Sequence, residues 1–336
     1  MEFIQYIIGQ YSTPSTMIWA VVFFAIGLVL LIKGGDWFVD GAVGLARRFR
    51  LPDIIVGATV VSIGTTLPEV MVSVTGALNG QGAMAYGNAI GSIICNTSLI
   101  AAISVAVNPG VVNTKTMKMP VIFFFGSAAI YCVAAYLMGE FTQLLGIILL
   151  AIFAVYMVIT VRQGMKNPDS VEAEEESKPK ALWLELVLLA GGAALIAVGA
   201  DLLVNHGTFI AQSLGVPETV IALTFVALGT SLPELVTTIT SLKKGHASLG
   251  IGNVIGANIF NLVLVSGTSV TLAPFAVPVG KTLFGINSSL VLDIPLMLTV
   301  MLLLTVPALI RKKLSRWQGI TLLCIYAAFC AFQFVL

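Results

Sequence analysis

Residues 62–73 read SIGTTLPEVMVS, and residues 227–238 read ALGTSLPELVTT. In both stretches a proline is followed at once by a glutamate, Glu69 or Glu234, inside an otherwise apolar run. A proline lacks the N–H that a helix needs, and a charge at membrane depth costs at least about 2.5–3.5 kcal/mol. Two costly features side by side indicate a functional site, and their recurrence indicates an internal repeat.

The composition is that of a membrane protein with many spans. Of the 336 residues, 58% are hydrophobic and only 10% are charged. Apolar runs of about 20 residues, the length that crosses a bilayer, follow one another along the chain. They predict an all-α protein embedded in the lipid bilayer, with ten transmembrane helices at 17–46, 54–78, 84–107, 119–138, 142–161, 182–212, 217–241, 247–270, 289–309 and 317–335. No basic patch with interleaved aromatic residues is present in the sequence, so nucleic acid is not an expected partner.

Lysine and arginine residues predict the orientation of these spans. If Arg47, Arg48 and Arg50 lie in the cytoplasm and the sides then alternate, 15 of the 17 basic residues fall on the cytoplasmic side. The positive-inside rule favours this arrangement over its inverse. We therefore expect a protein of the cell (inner) membrane with both termini on the extracytoplasmic side.

The chain also matches itself at an offset of 165 residues. Gly64 to Glu69 fall on Gly229 to Glu234, and the window 56–100 contains 16 identities in 45 positions. Each half holds five spans, an odd number, so the second copy enters the membrane with inverted topology, as in secondary transporters. This predicts a first repeat at 1–161, a cytoplasmic linker at 162–181 and a second repeat at 182–336.

The motif itself predicts a cation site. Pro68 and Pro233 are expected to break their helices and to leave carbonyl oxygens free for a polar cavity or an ion. Helical spacing places Ser62, Thr66 and Glu69 on one face. The set contains only oxygen atoms, with no Cys or His at ligand spacing, which suits hard cations such as calcium or sodium.

At these residues the chain resembles the calcium/cation antiporter superfamily, in particular the prokaryotic sodium/calcium exchangers. The two GT[TS]LPE segments, together with GNAIG at 87–91 and GNVIG at 252–256, resemble the paired alpha repeats of that family. The resemblance covers nearly the whole chain and implies sodium/calcium antiport by alternating access, with Ca²⁺ and Na⁺ as transported ions. It also implies that the first and sixth helices slide against the other eight. No enzymatic activity, cofactor or regulatory domain is expected.

The resemblance also implies ligands by position. The implied calcium ligands are carboxylates and backbone oxygens, from Glu69, Glu234, Thr65 and Thr230. The implied sodium sites share both glutamates and add Ser62, Thr66, Ser92, Ala227 and Ser231. Two amides, Asn96 and Asn261, are implied to line the central cavity. Some relatives carry Asp at the position of Asn261, and others carry Ser at that of Ala257. The missing hydroxyl at Ala257 is expected to leave one sodium site short of a ligand.

Two other functions stay open from the sequence. In a proton/calcium exchanger, the same two glutamates would bind protons in place of sodium. A cation channel is less favoured, because channels usually place symmetric subunits around a pore, whereas this chain carries its own two-fold pair. The sequence shows no nucleophile and base set for an intramembrane enzyme.

Overall fold

The structure, a computed structural model, describes residues 17–49, 51–166, 181–214, 229–279, 282–283 and 285–335. Ten helices occur in these residues: α1 (Met17–Phe49), α2 (Asp53–Leu78), α3 (Gly82–Val107), α4 (Thr114–Val133, continued by Ala134–Met138), α5 (Gln143–Lys166), α6 (Leu182–Ser213), α7 (Leu232–Lys243), α8 (Ala247–Leu272), α9 (Ser289–Arg311) and α10 (Arg316–Val335).

The helices follow the apolar runs of the sequence closely. Eight helices of the described chain, all except α7 and α10, are long and apolar enough to cross a membrane. The apolar part of α10, Arg316–Phe332, is shorter. The predicted seventh span, 217–241, lies partly outside the described residues, which include only its second half. The chain is therefore a helical membrane protein, as predicted.

Three pairs of very short strands join loops of this helical fold. The strands are β1 (Gly110–Val111), β2 (Glu140–Phe141), β3 (Phe275–Ala276), β4 (Thr282–Leu283), β5 (Ile286–Asn287) and β6 (Lys313–Leu314). They pair antiparallel as β1 with β6, β2 with β3, and β4 with β5. Each strand has only two residues, too few for an alternating pattern to be recognised in the sequence.

Helices α1 and α6 form a long antiparallel pair. Glycines lie at their crossing points: a Cβ built on Gly34 would lie 2.9 Å from the carbonyl oxygen of Gly192. Because glycine has no side chain, the two backbones can approach this closely. At one end of the pair Arg48 Nε lies 2.8 Å from Glu185 Oε2, and the Glu185 side chain is only 1% exposed.

The core is centred on α8, in which every residue from Leu249 to Phe260 is buried. Its glycines let α2 from the first half approach at backbone distance. A Cβ on Gly252 would collide with the carbonyl oxygen of Ile54, and one on Gly57 would collide with that of Leu249. This close crossing brings the two halves of the chain together beside the first motif.

Five of the described helices contain π-helical turns, at Ala134–Met138, Ser289–Asp293, Gly57–Val61, Asn96–Ala101 and Asn261–Val265. The last two begin at asparagines that correspond under the 165-residue repeat. π-Helical turns interrupt the regular bonding of a helix and occur frequently at functional sites. The repeat is therefore visible in local backbone geometry as well as in sequence.

Candidate functional site

The two motif prolines have different effects on their helices. The predicted break at Pro68 was wrong, because the α-helix Ser62–Leu78 continues through this residue. Proline removes only one N–H, and the bonds of neighbouring residues continue the helix around it. Pro233, by contrast, lies in the first turn of α7, where a missing N–H costs nothing.

The two motif glutamates lie fully inside the protein. Glu69 and Glu234 each have 0% exposed surface. Thr66 Oγ1 lies 3.5 Å from Glu234 Oε1, so the first motif touches the carboxylate of the second. Both carboxylate oxygens of Glu69 and the Oε2 atom of Glu234 have no hydrogen-bond partner. A buried carboxylate needs a compensating charge or a proton, and a cation held between the motifs would provide that charge.

The hydroxyl-bearing residues that were predicted for the site are also buried. Thr65, Ser92 and Ser231 are buried, and the Ser231 hydroxyl has no hydrogen-bond partner. The Ser62 hydroxyl lies 2.7 Å from the carbonyl oxygen of Gly57 and 2.9 Å from that of Asn253. Its oxygen keeps lone pairs that can face a cation.

Two asparagines add neutral oxygen atoms. Asn96 and Asn261 are fully buried, and neither atom of either amide group has a hydrogen-bond partner. Buried amides without partners are rare in proteins. Among the described residues, no three His, Cys, Asp or Glu side chains cluster around a common point. Two carboxylates with neutral oxygens form a donor set for a hard cation.

A cavity of about 780 Å³ lies beside both motifs. Its wall includes Thr65 and Pro68 from the first motif, Thr230 and Pro233 from the second, and Ala197 from α6. Thr230 is therefore at the cavity wall, and Ala227 lies outside the described residues. The structure thus brings the predicted residues of α2, α3, α7 and α8 to one buried region, with a space that leads towards it.

Sequence reasoning gave no role to several polar residues that support this region. Asn253 Oδ1 lies 3.1 Å from Thr65 Oγ1 and 3.3 Å from Ser62 Oγ. In a second hydrogen bond of this kind, Asn258 Nδ2 donates to Thr97 Oγ1 at 2.7 Å. The sequence signals for Asn253 were its match with Asn88 in the repeat and its place with Asn261 in a polar stripe of α8. The second bond has no counterpart in the repeat and could not have been found in this way.

Comparisons with known proteins all point to the same protein family. A model of the sodium/calcium exchanger protein family matches residues 19–162 and 184–335. The sodium/calcium exchanger MaX1 of Methanosarcina acetivorans is 28% identical over 346 residues, which cover 92% of this chain and 97% of MaX1. A membrane protein of Methanocaldococcus jannaschii is 33% identical over 318 residues, which cover 92% of this chain and 96% of that protein.

Solved structures agree with this assignment. The sodium-calcium exchanger NCX_Mj, soaked with 100 mM Na⁺ and 10 mM Sr²⁺, is similar with a TM-score of 0.78 and 32% identity. The similarity covers 94% of this chain and 99% of that one. The match of the family model to both halves, the shared fold and the paired acidic motifs lead to one conclusion: this chain belongs to the sodium/calcium exchanger protein family.

Proposed function

We propose that this chain exchanges Ca²⁺ for Na⁺ across the cell membrane by alternating access. The observation that carries the proposal is the buried pair Glu69 and Glu234, one from each half, with the Thr66 hydroxyl of the first motif 3.5 Å from Glu234 Oε1. Family membership and the names of the relatives, sodium/calcium exchanger and antiporter, support the same ions and the same type of transport.

The ligand assignment follows from the donor atoms. Glu69 and Glu234 bind calcium through their carboxylates, with the backbone oxygens of Thr65 and Thr230. Sodium ions use both carboxylates and the oxygens of Ser62, Thr66, Ser92, Ala227 and Ser231, and Asn96 and Asn261 line the space between them. One Ca²⁺ neutralises both carboxylates, and sodium ions can do the same. Because the two kinds of ion compete for the same carboxylates, they bind in alternation, which couples their transport.

The proposed architecture has ten spans in two inverted repeats, 1–161 and 182–336, joined by a cytoplasmic linker at 162–181. The antiparallel packing of α1 against α6 supports it, because these helices correspond under the repeat and inverted copies must run in opposite directions. The strand pairs support it too. β1 and β6 join two loops assigned to the cytoplasm, and β2 and β3 join two loops assigned to the opposite side.

The packing around the site differs between the two sides. Towards the cytoplasmic end of α1, Gly35 packs directly on α7, where an added Cβ would lie 2.7 Å from Val236 Cγ1. Under the 165-residue repeat, Ala200 corresponds to Gly35 and Met71 corresponds to Val236. Whereas Gly35 packs on Val236, Ala200 and Met71 line the 780 Å³ cavity. In the proposed orientation, the contact of Gly35 with α7 lies on the cytoplasmic side of the site and the 780 Å³ cavity on the other. Exchanging these two arrangements gives alternating access.

The experiment is calcium-45 uptake into proteoliposomes that contain the purified protein. Uptake is driven in separate samples by a sodium, a proton or a potassium gradient. Sodium/calcium exchange requires uptake with the sodium gradient. Uptake that follows only the proton gradient would instead support proton/calcium exchange, which the partner-free oxygens of Glu69 also allow. Uptake without any opposing gradient would indicate a channel.

A further inference from the structure

Asn253 ties the second half of the chain to the first motif. Its side chain is fully buried, and its Oδ1 atom lies 3.1 Å from the Thr65 hydroxyl. The Ser62 hydroxyl lies 3.3 Å from the same atom. Asn253 Oδ1 therefore accepts from the Thr65 hydroxyl of α2, although Asn253 belongs to α8. It holds the stretch of α2 whose oxygens are assigned to the ion site.

Asn88, which corresponds to Asn253 in the repeat, has different partners. Its Nδ2 atom donates to the Ser73 hydroxyl at 2.8 Å and to the backbone oxygen of Glu69 at 3.2 Å. Both partners belong to its own half of the chain. No hydrogen bond joins Asn88 to Thr230, the counterpart of Thr65, in the described part of the chain. The two asparagines are thus equivalent in sequence but bonded in opposite ways.

The atoms needed to reverse this arrangement are present and have no partner. Thr238 corresponds to Ser73, is 2% exposed, and its hydroxyl makes no hydrogen bond. The Nδ2 atom of Asn253 also makes none. Leaving a buried polar atom without a partner is unfavourable, and each such atom in a native structure requires an explanation. Asn253 Nδ2 is thus a donor without a partner, and the Thr238 hydroxyl oxygen is an acceptor without a partner. Their counterparts in the repeat, Asn88 and Ser73, form a hydrogen bond with each other. This indicates that Asn253 and Thr238 form the equivalent bond in another conformational state.

We propose that Asn88 and Asn253 are a reciprocal pair of positioning residues for the exchange reaction. In the structure, Asn253 holds the first motif through Thr65, and Asn88 bonds within its own half. In the opposite state, Asn253 Nδ2 donates to the Thr238 hydroxyl and to the backbone oxygen of Glu234, and Asn88 accepts from Thr230. Only one motif is held from the other half at a time. This inference rests on the proposed alternating access and adds residues that bind no ion.

The sharpest test is Thr238→Val, which removes a hydroxyl that bonds nothing in the structure. If the Thr238 hydroxyl has no role in transport, its removal leaves the transport rate unchanged. If it stabilises the opposite state, the maximal rate of sodium-driven calcium uptake falls about fivefold, the effect of one hydrogen bond. The calcium concentration for half-maximal uptake from the extracytoplasmic side does not rise, because the state in the structure is retained. Thr238→Ser restores the rate, since the first half carries Ser73 at this position.

Two further variants complete the design. Thr237→Val is the matched control, because Thr237 is also buried with a partner-free hydroxyl but corresponds to Val72, which has none. It should transport at the rate of the unmodified protein. Ser73→Ala removes the bond that Asn88 makes here, so it should raise the half-maximal calcium concentration. Thr238→Ala replaces Thr238→Val if thermal melting shows that the valine variant is unfolded.

A labelling measurement separates this proposal from the identity of the ions. Ala197→Cys places a thiol on the exposed wall of the cavity. An impermeant maleimide added from the extracytoplasmic side should label it faster when Thr238→Val is also present and more slowly with Ser73→Ala. If the unmodified protein shows no sodium-driven uptake, the proposed function fails while the labelling rates still test the asparagine pair. Unchanged rates in Thr238→Val, or an equal loss in Thr237→Val, would overturn the pair.

Discussion

Gly27 and Gly199 contact each other symmetrically: a Cβ built on either residue would lie 2.9 Å from the carbonyl oxygen of the other. Under the repeat, Gly27 corresponds to Gly192 and Gly34 to Gly199. The contact between Gly27 and Gly199 is therefore the repeat image of the contact between Gly34 and Gly192. Helices α1 and α6 are packed at backbone distance at two symmetric points, which favours their movement as one unit.

Gly199→Ala should destabilise this helix pair. The added methyl group has no space beside the Gly27 carbonyl oxygen, and overpacking costs about 1–3 kcal/mol. We expect a lower melting temperature of the purified protein in detergent. Gly191→Ala is the matched control on the same helix, because its Cβ would meet nothing nearer than Trp37 Cε3 at 3.8 Å. Equal melting temperatures for both variants would contradict the close packing of α1 against α6.

Glu69→Gln and Glu234→Gln should each abolish calcium transport without unfolding the protein. One unit charge at about 4 Å contributes about 4 kcal/mol per unit of ion charge at an effective dielectric constant of about 20, roughly a thousandfold in affinity for a monovalent ion and more for Ca²⁺. Calcium-45 exchange in proteoliposomes measures the loss, and thermal melting checks the fold. Glu140→Gln is the control, since Glu140 is exposed in β2. Normal exchange by either motif variant would remove that glutamate from the ion site.

Both chain ends should be accessible from outside the cell. The expectation follows from the 15 of 17 basic residues that fall on the cytoplasmic side. Short tags fused to Met1 or Leu336 are exposed to an impermeant label in intact cells and again after lysis. Labelling of intact cells is the expected result. If a tag reacts only after lysis, that end is cytoplasmic and the orientation must be reversed.

Transport should not require potassium. The central region contains two carboxylates, and amides occupy positions 96 and 261, so one Ca²⁺ already balances the charge. A potassium ion beside it would add a net positive charge, with a repulsion of about 4 kcal/mol per unit charge pair at about 4 Å and a dielectric constant of about 20. Sodium-driven calcium flux in choline buffer should be equal with and without potassium. Flux that appears only with potassium on the calcium side would refute this charge argument.

Lys244→Met should weaken the packing of α7 against α1 on the proposed cytoplasmic side. Lys244 Nζ lies 2.7 Å from Asp40 Oδ1 and 2.9 Å from the backbone oxygen of Asp36, so it joins the end of α7 to α1. The repeat places Asn79 at the corresponding position, which offers no cation. Partly exposed ion pairs contribute about 0.2–1 kcal/mol, so a shift of roughly 1.4- to 5-fold towards the cytoplasm-open state is expected.

The measurement for Lys244 is the rate at which an impermeant maleimide labels Ala197→Cys from outside. Labelling should slow in Lys244→Met at low salt, and the difference should shrink at high salt because the ion pair is screened. Lys243→Met is the control: Lys243 is an exposed neighbour that makes no salt bridge in the described part of the chain. A similar slowing in the control would assign the effect to net charge and not to the ion pair.

Much of the fold could be predicted from the sequence, because a bilayer makes strong demands on the chain. Helix bounds follow the apolar runs: α2, predicted at 54–78, is Asp53–Leu78, and α6, predicted at 182–212, is Leu182–Ser213. Backbone polar groups in hydrocarbon must bond within their own helix, so length and hydropathy largely determine where a span lies. The repeat similarly indicated that Glu69 and Glu234 belong to one site.

Tertiary structure decided what the repeat could not. The sequence makes Asn88 and Asn253 equivalent, yet only Asn253 reaches across to Thr65, while Asn88 bonds Ser73 in its own half. It also treats Pro68 and Pro233 alike, yet only Pro233 lies in the first turn of a helix. Two similar halves can pack in alternative ways, and which contacts form depends on the global arrangement of helices. The sequence alone determined the symmetric set of spans and oxygen ligands, and the packing of α1 on α7 and of α8 on α2 decided on which side that symmetry is broken.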